Sequence, residues 1–202
     1  TRKESSAASD VYKRQILYED AIVSVTGGST MAYVSESIHL LPFNVFFVPA
    51  RGGLGENMVY QANTISSSMA QQAGGYYTTL YVPDNVSEST YDTLMLEPSV
   101  IHTLDKIKQA NVTIHGIGDA LKMAHRRQSP KEVIDKLQHH QAVGEAFGYY
   151  FDAQGKVVHK VKTIGLQLED LESKDFIFAV AGGQSKGEAI KACLLYTSDA
   201  AD

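Results

Sequence analysis

Short apolar runs recur along the chain, and each is followed by a loop and then by a stretch with helical spacing. The runs are continuous rather than alternating, which is typical of strands buried on both faces of a parallel sheet. We predict five such strands, at residues 21–25, 45–48, 77–82, 112–115 and 176–181.

The stretches between these runs carry apolar residues at the spacing of an amphipathic helix. They predict helices at residues 30–41, 57–73, 98–110, 119–127, 130–140 and 185–193. Strands that alternate with helices indicate an α/β fold with a doubly wound, mostly parallel sheet. Residues 142–171 break the alternation and contain a turn at Gln154-Gly155, so we predict a small antiparallel insertion there.

Four of the predicted strands end in loops that contain glycine. Ligands of open α/β sheets bind beyond the carboxyl ends of the strands, and glycine lets backbone N–H groups approach an anion closely. The first loop, Gly27-Gly28-Ser29-Thr30, adds two hydroxyl groups at the start of a predicted helix and therefore indicates a phosphate site. A plain strand–helix turn capped by serine is the alternative explanation.

Basic side chains lie in or close to these loops. Arg51 directly precedes Gly52-Gly53, and Arg126 and Arg127 end the predicted helix after the third loop. Lys186 lies on the first turn of the last predicted helix. An arginine fork can hold a phosphate with two hydrogen bonds, whereas an isolated arginine is usually a solvated surface charge.

Polar side chains near the loops could contact a ligand that these cations hold. Gln61 and Asn63 could hydrogen-bond a ligand or lie at exposed helix positions. Asp119 could cap the helix that begins there. Glu145 has no evident local structural role, and it could accept hydrogen bonds from sugar hydroxyls or act as a base.

Composition limits the function classes that fit the chain. Its 202 residues are 44% hydrophobic, enough for one domain with a sizeable core, and the formal charge of −5 argues against a nucleic-acid surface. Cys193 is the one cysteine, and the seven histidines lack metal-ligand spacing, so we predict no metal and no cofactor. The sequence shows neither a signal peptide nor a run long enough for a membrane helix, so we expect no membrane partner and a cytoplasmic location.

The two ends of the chain differ from its centre. Residues 1–15 and 194–202 resemble the translation of a sequencing-library adapter. We therefore predict non-native or disordered flanks there and a truncated domain at residues 16–193.

Several strings resemble a known family and occur in its order: VTGGSTMA, FVPARGGLGE, QANTI, HGIGDALKMAHRR, GEAFGYYFD, TIGLQLEDL and AVAGGQSKGEAI. They are similar to the effector-binding domain of SorC/DeoR-type bacterial transcriptional repressors, in the subgroup that controls the central glycolytic genes. The resemblance covers residues 16–193. It implies a fold like that of sugar-phosphate isomerases and glucosamine-phosphate deaminases, used by a sensor.

The resemblance also implies a ligand and the residues that bind it. The effector is a phosphorylated sugar, fructose-1,6-bisphosphate in this subgroup, and its binding relieves DNA repression. We expect a homo-oligomer that contacts DNA only through a helix-turn-helix domain absent from this chain. The candidate ligand-binding residues are Gly27, Gly28, Ser29, Thr30, Arg51, Gln61, Arg126, Arg127, Glu145 and Lys186, with the choice between the adjacent Arg126 and Arg127 left open.

An enzyme is the alternative to a sensor. It would be a sugar-phosphate isomerase or an amino-sugar-phosphate deaminase, with Glu145 or Asp119 as the base. Such an enzyme needs a second acid and a ring-opening residue near the sugar, and the sequence shows no histidine–carboxylate grouping of that kind. We therefore predict a sensor without catalytic residues.

Overall fold

The computed structural model describes residues 17–53, 57–183 and 186–199. Of the predicted flanks, residues 1–15 lie outside the described residues, whereas residues 194–199 continue the last helix. The strands are β1 (Ala21–Val25), β2 (Val45–Pro49), β3 (Tyr76–Tyr77), β4 (Val112–Gly116), β5 (Gly118–Asp119), β6 (Gly144–Ala146), β7 (Tyr149–Phe151), β8 (Val157–Lys160) and β9 (Phe176–Val180). The α-helices are α1 (Ser29–Glu36), α2 (Ala62–Ala73), α3 (Glu88–Leu94), α4 (Pro98–Lys108), α5 (Ala120–Arg126), α6 (Lys131–His139) and α7 (Gly187–Asp199).

The main sheet has five strands in the order β3-β2-β1-β4-β9, and all neighbouring strands are parallel. The chain moves outward from β1 to β3 and then returns to place β4 on the other side of β1. Strand order therefore reverses between β1 and β4, and such a reversal opens the crevice in which α/β sheets bind ligands. The predicted α/β fold with a mostly parallel sheet is confirmed.

A second, antiparallel sheet has the order β5-β6-β7-β8. Three of its strands fall in the predicted insertion, and β5 follows β4 almost directly. The turn between β6 and β7 places Phe147 and Gly148 at positive φ angles of 53° and 86°. This tight hairpin brings Glu145, in β6, to the carboxyl end of the main sheet.

Apolar side chains cover both faces of the main sheet. One face carries a cluster that includes Val48, Leu80, Ile107, Ile117 and Leu166. The other carries Val23, Val25, Met31, Phe47 and Ile65. Burial on both faces explains the continuous apolar runs of β1, β2 and β4. The expectation of burial on both faces is wrong for β9, which lies at the sheet edge and exposes Phe176 and Ile177. Within the described residues, no helix has the length and apolar character needed to cross a bilayer.

The predicted strand at residues 77–82 is wrong beyond its first residue, because β3 ends at Tyr77. The Asn63 side chain takes the place of a neighbouring strand for Leu80. Its amide accepts from the Leu80 N–H at 2.8 Å and donates to the Leu80 carbonyl at 3.0 Å. The N–H and carbonyl groups of Leu80 therefore have hydrogen-bond partners without a neighbouring strand.

The helices differ from prediction mainly at their ends. The helix predicted at residues 57–73 is divided, because Gln61 is extended between a 3₁₀ helix (Met58–Tyr60) and α2. Helix α1 ends at Glu36 rather than at residue 41. Helix α3 was not predicted, because none of its side chains is fully buried. The Ser87 hydroxyl caps this helix by accepting a hydrogen bond from the Thr90 N–H.

Candidate functional site

A cavity opens at the carboxyl ends of β1, β2 and β4, where the strand order reverses. Its wall includes the loops after these strands, the first turn of α1, the β6–β7 hairpin and the end of α5, together with Gln61, Asp84 and Lys186. All ten residues predicted to bind a ligand lie on this wall: Gly27, Gly28, Ser29, Thr30, Arg51, Gln61, Arg126, Arg127, Glu145 and Lys186. The structure thus brings them to one place, and their contact with a ligand stays a prediction.

The loop after β1 is held close to neighbouring backbone. A Cβ atom added to Gly27 would lie 2.6 Å from the Tyr60 carbonyl oxygen, so no larger residue fits without a shift. Gly28 has a φ of 124°, which L side chains rarely adopt, and its N–H donates to the same carbonyl at 2.8 Å. Both glycines are therefore required by the path of the chain into α1.

The first turn of α1 faces the cavity without a side-chain cap. Gly28 is the N-cap residue, and Ser29 is already the first residue of the helix. A serine cap therefore does not explain this loop. The first N–H groups of a helix have no partner within the helix, and they carry the positive end of its dipole. Together with the hydroxyls of Ser29 and Thr30, they form a cradle suited to a phosphate.

Arg51 is buried and already has two carboxylate partners. Its Nε donates to Asp84 Oδ1 at 2.8 Å, and its Nη2 donates to Asp84 Oδ2 at 2.8 Å. The remaining Nη1 lies 3.4 Å from Glu145 Oε1. The prediction placed Arg51 in the site without anticipating these partners.

Arg127 binds the same two carboxylates from the other side. Its Nη2 donates to Glu145 Oε1 at 2.9 Å, and its Nε lies 3.4 Å from Asp84 Oδ2. Its Nη1 donates to the Tyr150 hydroxyl at 3.0 Å. Arg51, Asp84, Arg127 and Glu145 thus close an ion-pair ring of alternating charge, and no side chain in it is more than 9% exposed.

The expectation that Glu145 lacks a local structural role is wrong. Its Oε1 accepts hydrogen bonds from the Gly148 N–H at 2.6 Å and from both arginines of the ring. Burial alone would raise the pKa of Glu145, but the charges of Arg127 and Arg51 outweigh it and hold this pKa below its usual range. Glu145 is therefore an ionised acceptor at neutral pH, which is unfavourable for a general base.

The second Glu145 oxygen, Oε2, lies beside Gly118. A Cβ atom added to Gly118 would come within 3.2 Å of it. Among the described residues, the hydrogen bonds to the Glu145 carboxylate all end on Oε1. Since both Gly118 and Glu145 line the cavity, Oε2 is placed to accept from a ligand.

The other predicted polar residues surround the ion-pair ring. Arg126 and Gln61 line both the cavity and an adjoining cleft, so they lie at the boundary between the two. Lys186 precedes α7 rather than lying in its first turn, and its Nζ donates to the Ile117 carbonyl at 2.8 Å. Asp119 caps α5, since its Oδ1 accepts from the Lys122 N–H at 2.9 Å.

Charge in the described part of the wall favours an anion. Its basic residues are Arg51, Arg126, Arg127 and Lys186, and its acidic residues are Asp84 and Glu145. The described residues contain no group of three or more histidine, cysteine, aspartate or glutamate side chains arranged for a metal ion.

Sequence reasoning missed two residues of the site. Asp84 comes just after the apolar run that ends at Val82. The predicted glycine loops also come just after apolar runs, so this position could have indicated that Asp84 belongs to the site. The other missed residue is Tyr150, in the middle of β7. It is fully buried, and nothing in its local sequence indicates a contact with Arg127.

The chain matches the model of the Sugar-bind family, a sugar-binding domain, over residues 1–198. It belongs to this family. The domain is 49% identical to the Central glycolytic genes regulator of Priestia megaterium over 189 residues. The aligned region covers 93% of this chain and 55% of that protein. It is 47% identical over 193 residues to the protein of that name from Bacillus subtilis, covering 95% of this chain and 57% of that protein.

Solved structures agree with this assignment. A SorC family transcriptional regulator from Enterococcus faecalis matches with a TM-score of 0.84 and 42% identity, over 96% of this chain and 82% of that chain. The predicted resemblance is confirmed, and these relatives are transcriptional regulators rather than enzymes. The chain spans a little more than half the length of the two curated relatives.

Proposed function

We propose that this Sugar-bind domain is the effector sensor of a transcriptional repressor of glycolytic genes. Its effector is a sugar that carries two phosphates, fructose-1,6-bisphosphate, and binding relieves repression. The cavity carries this proposal, because it combines anion-binding groups with an ionised acceptor on one wall. The 47–49% identity to two regulators of glycolytic genes supports the class of gene that is controlled.

The first turn of α1 receives one phosphate. Its N–H groups and the hydroxyls of Ser29 and Thr30 line the cavity and donate hydrogen bonds, which phosphate oxygens accept. Lys186 adds a positive charge to the same cavity. This arrangement binds an anion without a metal ion.

Arg126 and Gln61 receive the second phosphate at the boundary with the adjoining cleft. An arginine at this position can hold a phosphate with two parallel hydrogen bonds. Glu145 Oε2 accepts a hydrogen bond from a sugar hydroxyl. These contacts require a ligand with both phosphates and hydroxyl groups.

The sensor works in the cytoplasm as part of a homo-oligomer, and a separate domain of the regulator binds DNA. The formal charge of −5 supports this division of roles, because DNA contacts depend on basic side chains. An effector that stabilises one arrangement of subunits would weaken DNA binding through the coupling of the two sites.

Calorimetry with sugar phosphates tests the proposal. Fructose-1,6-bisphosphate should bind at least about tenfold more tightly than fructose-6-phosphate, because each hydrogen bond to a charged group contributes roughly 1.5–3 kcal/mol. Equal affinities would show a single phosphate site. Formation of a product from fructose or glucosamine phosphates would support the isomerase or deaminase instead.

A further inference from the structure

The turn between β6 and β7 holds a large side chain in a backbone conformation that favours glycine. Phe147 and Gly148 form a two-residue loop, and both have positive φ angles, 53° and 86°. Such loops favour asparagine or glycine at the first position, because a bulky residue is strained there. The other non-glycine residues with positive φ in the described part of the chain, Asp20, Gln128 and Gln141, are polar and exposed. A specific interaction must therefore hold Phe147 in this conformation.

The phenyl group of Phe147 packs against the imidazole of His115. The two ring centroids lie 4.8 Å apart, and Phe147 is only 2% exposed. Phe147 lines the cavity, whereas His115 is buried and is not among the described residues of the wall. The phenyl group therefore separates His115 from the cavity.

His115 could bind a ligand if one reached it. Its Nδ1 lies 3.2 Å from the Gly116 carbonyl oxygen, which can only accept, so Nδ1 carries the proton and Nε2 is an acceptor. This Nε2 is buried without a hydrogen-bond partner among the described residues. Burial lowers the pKa of His115 to about 4, although the charge of Glu145 opposes this effect. The imidazole is thus a neutral, unused acceptor behind Phe147.

We propose that Phe147 is a specificity-determining residue, whose phenyl group keeps the effector away from His115 and limits the size of the sugar substituent beside the β6–β7 hairpin. This inference rests on the proposed function and narrows its ligand class. Sugar phosphates with a hydroxyl group at this point are accepted, and those with a larger alkyl or acyl group are excluded. A closely packed wall excludes extra atoms, because side chains must move to admit them.

The hairpin does not depend on the phenyl group for its shape. Ala146 and Tyr149 pair on either side of the turn, and the Gly148 N–H donates to Glu145 Oε1 at 2.6 Å. Phe147→Gly removes the phenyl group and relieves the backbone strain at the same position. This variant should therefore widen the cavity while the hairpin stays in place.

Calorimetry with glucose-6-phosphate and two bulkier analogues tests the size limit. N-acetylglucosamine-6-phosphate carries an acetamido group on carbon 2, and 3-O-methylglucose-6-phosphate carries a methyl group on the carbon 3 oxygen. The unchanged chain should bind glucose-6-phosphate at least about tenfold more tightly than the analogue whose added group meets Phe147. Phe147→Gly should reduce this preference to less than about threefold. Phe147→Leu, which keeps an apolar cover, should retain most of the preference.

Gln141→Gly is the matched control for the backbone. Gln141 also has a positive φ, of 50°, but it is exposed and does not belong to the described wall of the cavity. Its replacement relieves the same kind of strain and should leave the preference unchanged. If thermal unfolding shows that Phe147→Gly does not fold, Phe147→Asn replaces it, because asparagine is favoured at this turn position.

Nitrogen NMR of the His115 imidazole, assigned by its absence in His115→Gln, tests the cover without a ligand. In Phe147→Gly, water should reach the imidazole and raise its pKa from about 4 towards 6.5, whereas Phe147→Leu should keep it low. A pKa that stays near 4 in Phe147→Gly, or equal preferences in Phe147→Gly and the unchanged chain for both analogues, would overturn the role of Phe147. Failure of the unchanged chain to bind any sugar phosphate would overturn the proposed function instead.

Discussion

Individual side chains on the cavity wall differ in how their charges are used. Arg51 and Arg127 are buried and matched by Asp84 and Glu145. The Lys186 Nζ donates to a carbonyl, which leaves its positive charge unneutralised by that contact. A count of basic residues in the sequence therefore overstates the charge that a ligand meets, because Asp84 and Glu145 already compensate the charges of Arg51 and Arg127.

Thr30→Glu should abolish binding of fructose-1,6-bisphosphate. The new carboxylate would lie in the cradle at the start of α1 and repel a phosphate. The fold should survive, since an acidic residue in the first turn of a helix interacts favourably with its dipole. Calorimetry measures the loss, and Thr30→Gln is the neutral control of the same size. Unchanged affinity in the Glu variant would place the phosphate elsewhere.

Asp84→Asn should lower the free energy of unfolding by about 3–5 kcal/mol, the usual cost of removing one partner from a buried ion pair. Asp84 is 1% exposed and contacts both buried arginines, which would face one carboxylate instead of two. Urea denaturation gives the value. Asp135→Asn, at an exposed position of α6, should change it by less than about 0.5 kcal/mol. A similarly small loss for Asp84→Asn would mean that the ring contributes little to stability.

The sequence predicts a strand or helix correctly where the burial of its side chains produces a clear apolar pattern. β1, β2 and β4 are covered on both faces, and such strands require continuous apolar runs. The residues around Leu80 have the same kind of apolar run but do not form a strand. The Asn63 side chain makes the hydrogen bonds with the Leu80 backbone that a neighbouring strand would otherwise make. Helix α3 has no fully buried side chain and packs only Tyr91 and Leu94 partly against the core, which is too short an apolar pattern to indicate a helix.

The place of the site follows from the same elements, but its internal contacts do not. Parallel strands bring the loops after them to one edge, so the loop residues could be grouped in advance. Arg51 and Asp84 are 33 positions apart, and their bidentate contact depends on how two loops meet. The difference between Arg126 and Arg127 depends on the direction in which each side chain leaves the end of α5.

Strand β4 contains a buried histidine that makes stability depend on pH. Burial lowers the pKa of His115 from 6.5 to about 4. In the unfolded chain, His115 binds a proton below pH 6.5, whereas the folded chain binds it only near pH 4. This group's contribution to stability is therefore fully present above pH 6.5 and is lost as the pH falls towards 4.

The free energy of unfolding should thus fall by about 2 kcal/mol between pH 7 and pH 5 through this group alone. Urea denaturation at both values measures the change. His115→Gln should remove this part of the pH dependence, while the exposed His125→Gln should retain it. An identical pH dependence in the unchanged chain and in His115→Gln would show that His115 takes up its proton in the folded state.

Across the whole molecule, ligand binding and DNA binding place opposite demands on charge. The chain has 18 basic and 23 acidic residues, and the described basic residues of the site are gathered in a cavity partly neutralised by acids. A cavity of this kind can hold a small anion, but it cannot follow the phosphates of a duplex, which require many exposed lysine and arginine contacts. Effector recognition and DNA recognition are therefore expected on different domains.

The 202-residue chain should accordingly form no sequence-specific complex with operator DNA, with or without fructose-1,6-bisphosphate. A gel shift at about physiological salt measures this, with unlabelled competitor DNA to remove non-specific binding. Fusing the N-terminal domain of a relative ahead of residue 16 should create binding that the bisphosphate weakens, because the effector and the DNA then act on one coupled molecule. A competitor-resistant complex formed by the chain alone would mean that it carries a DNA-binding surface of its own.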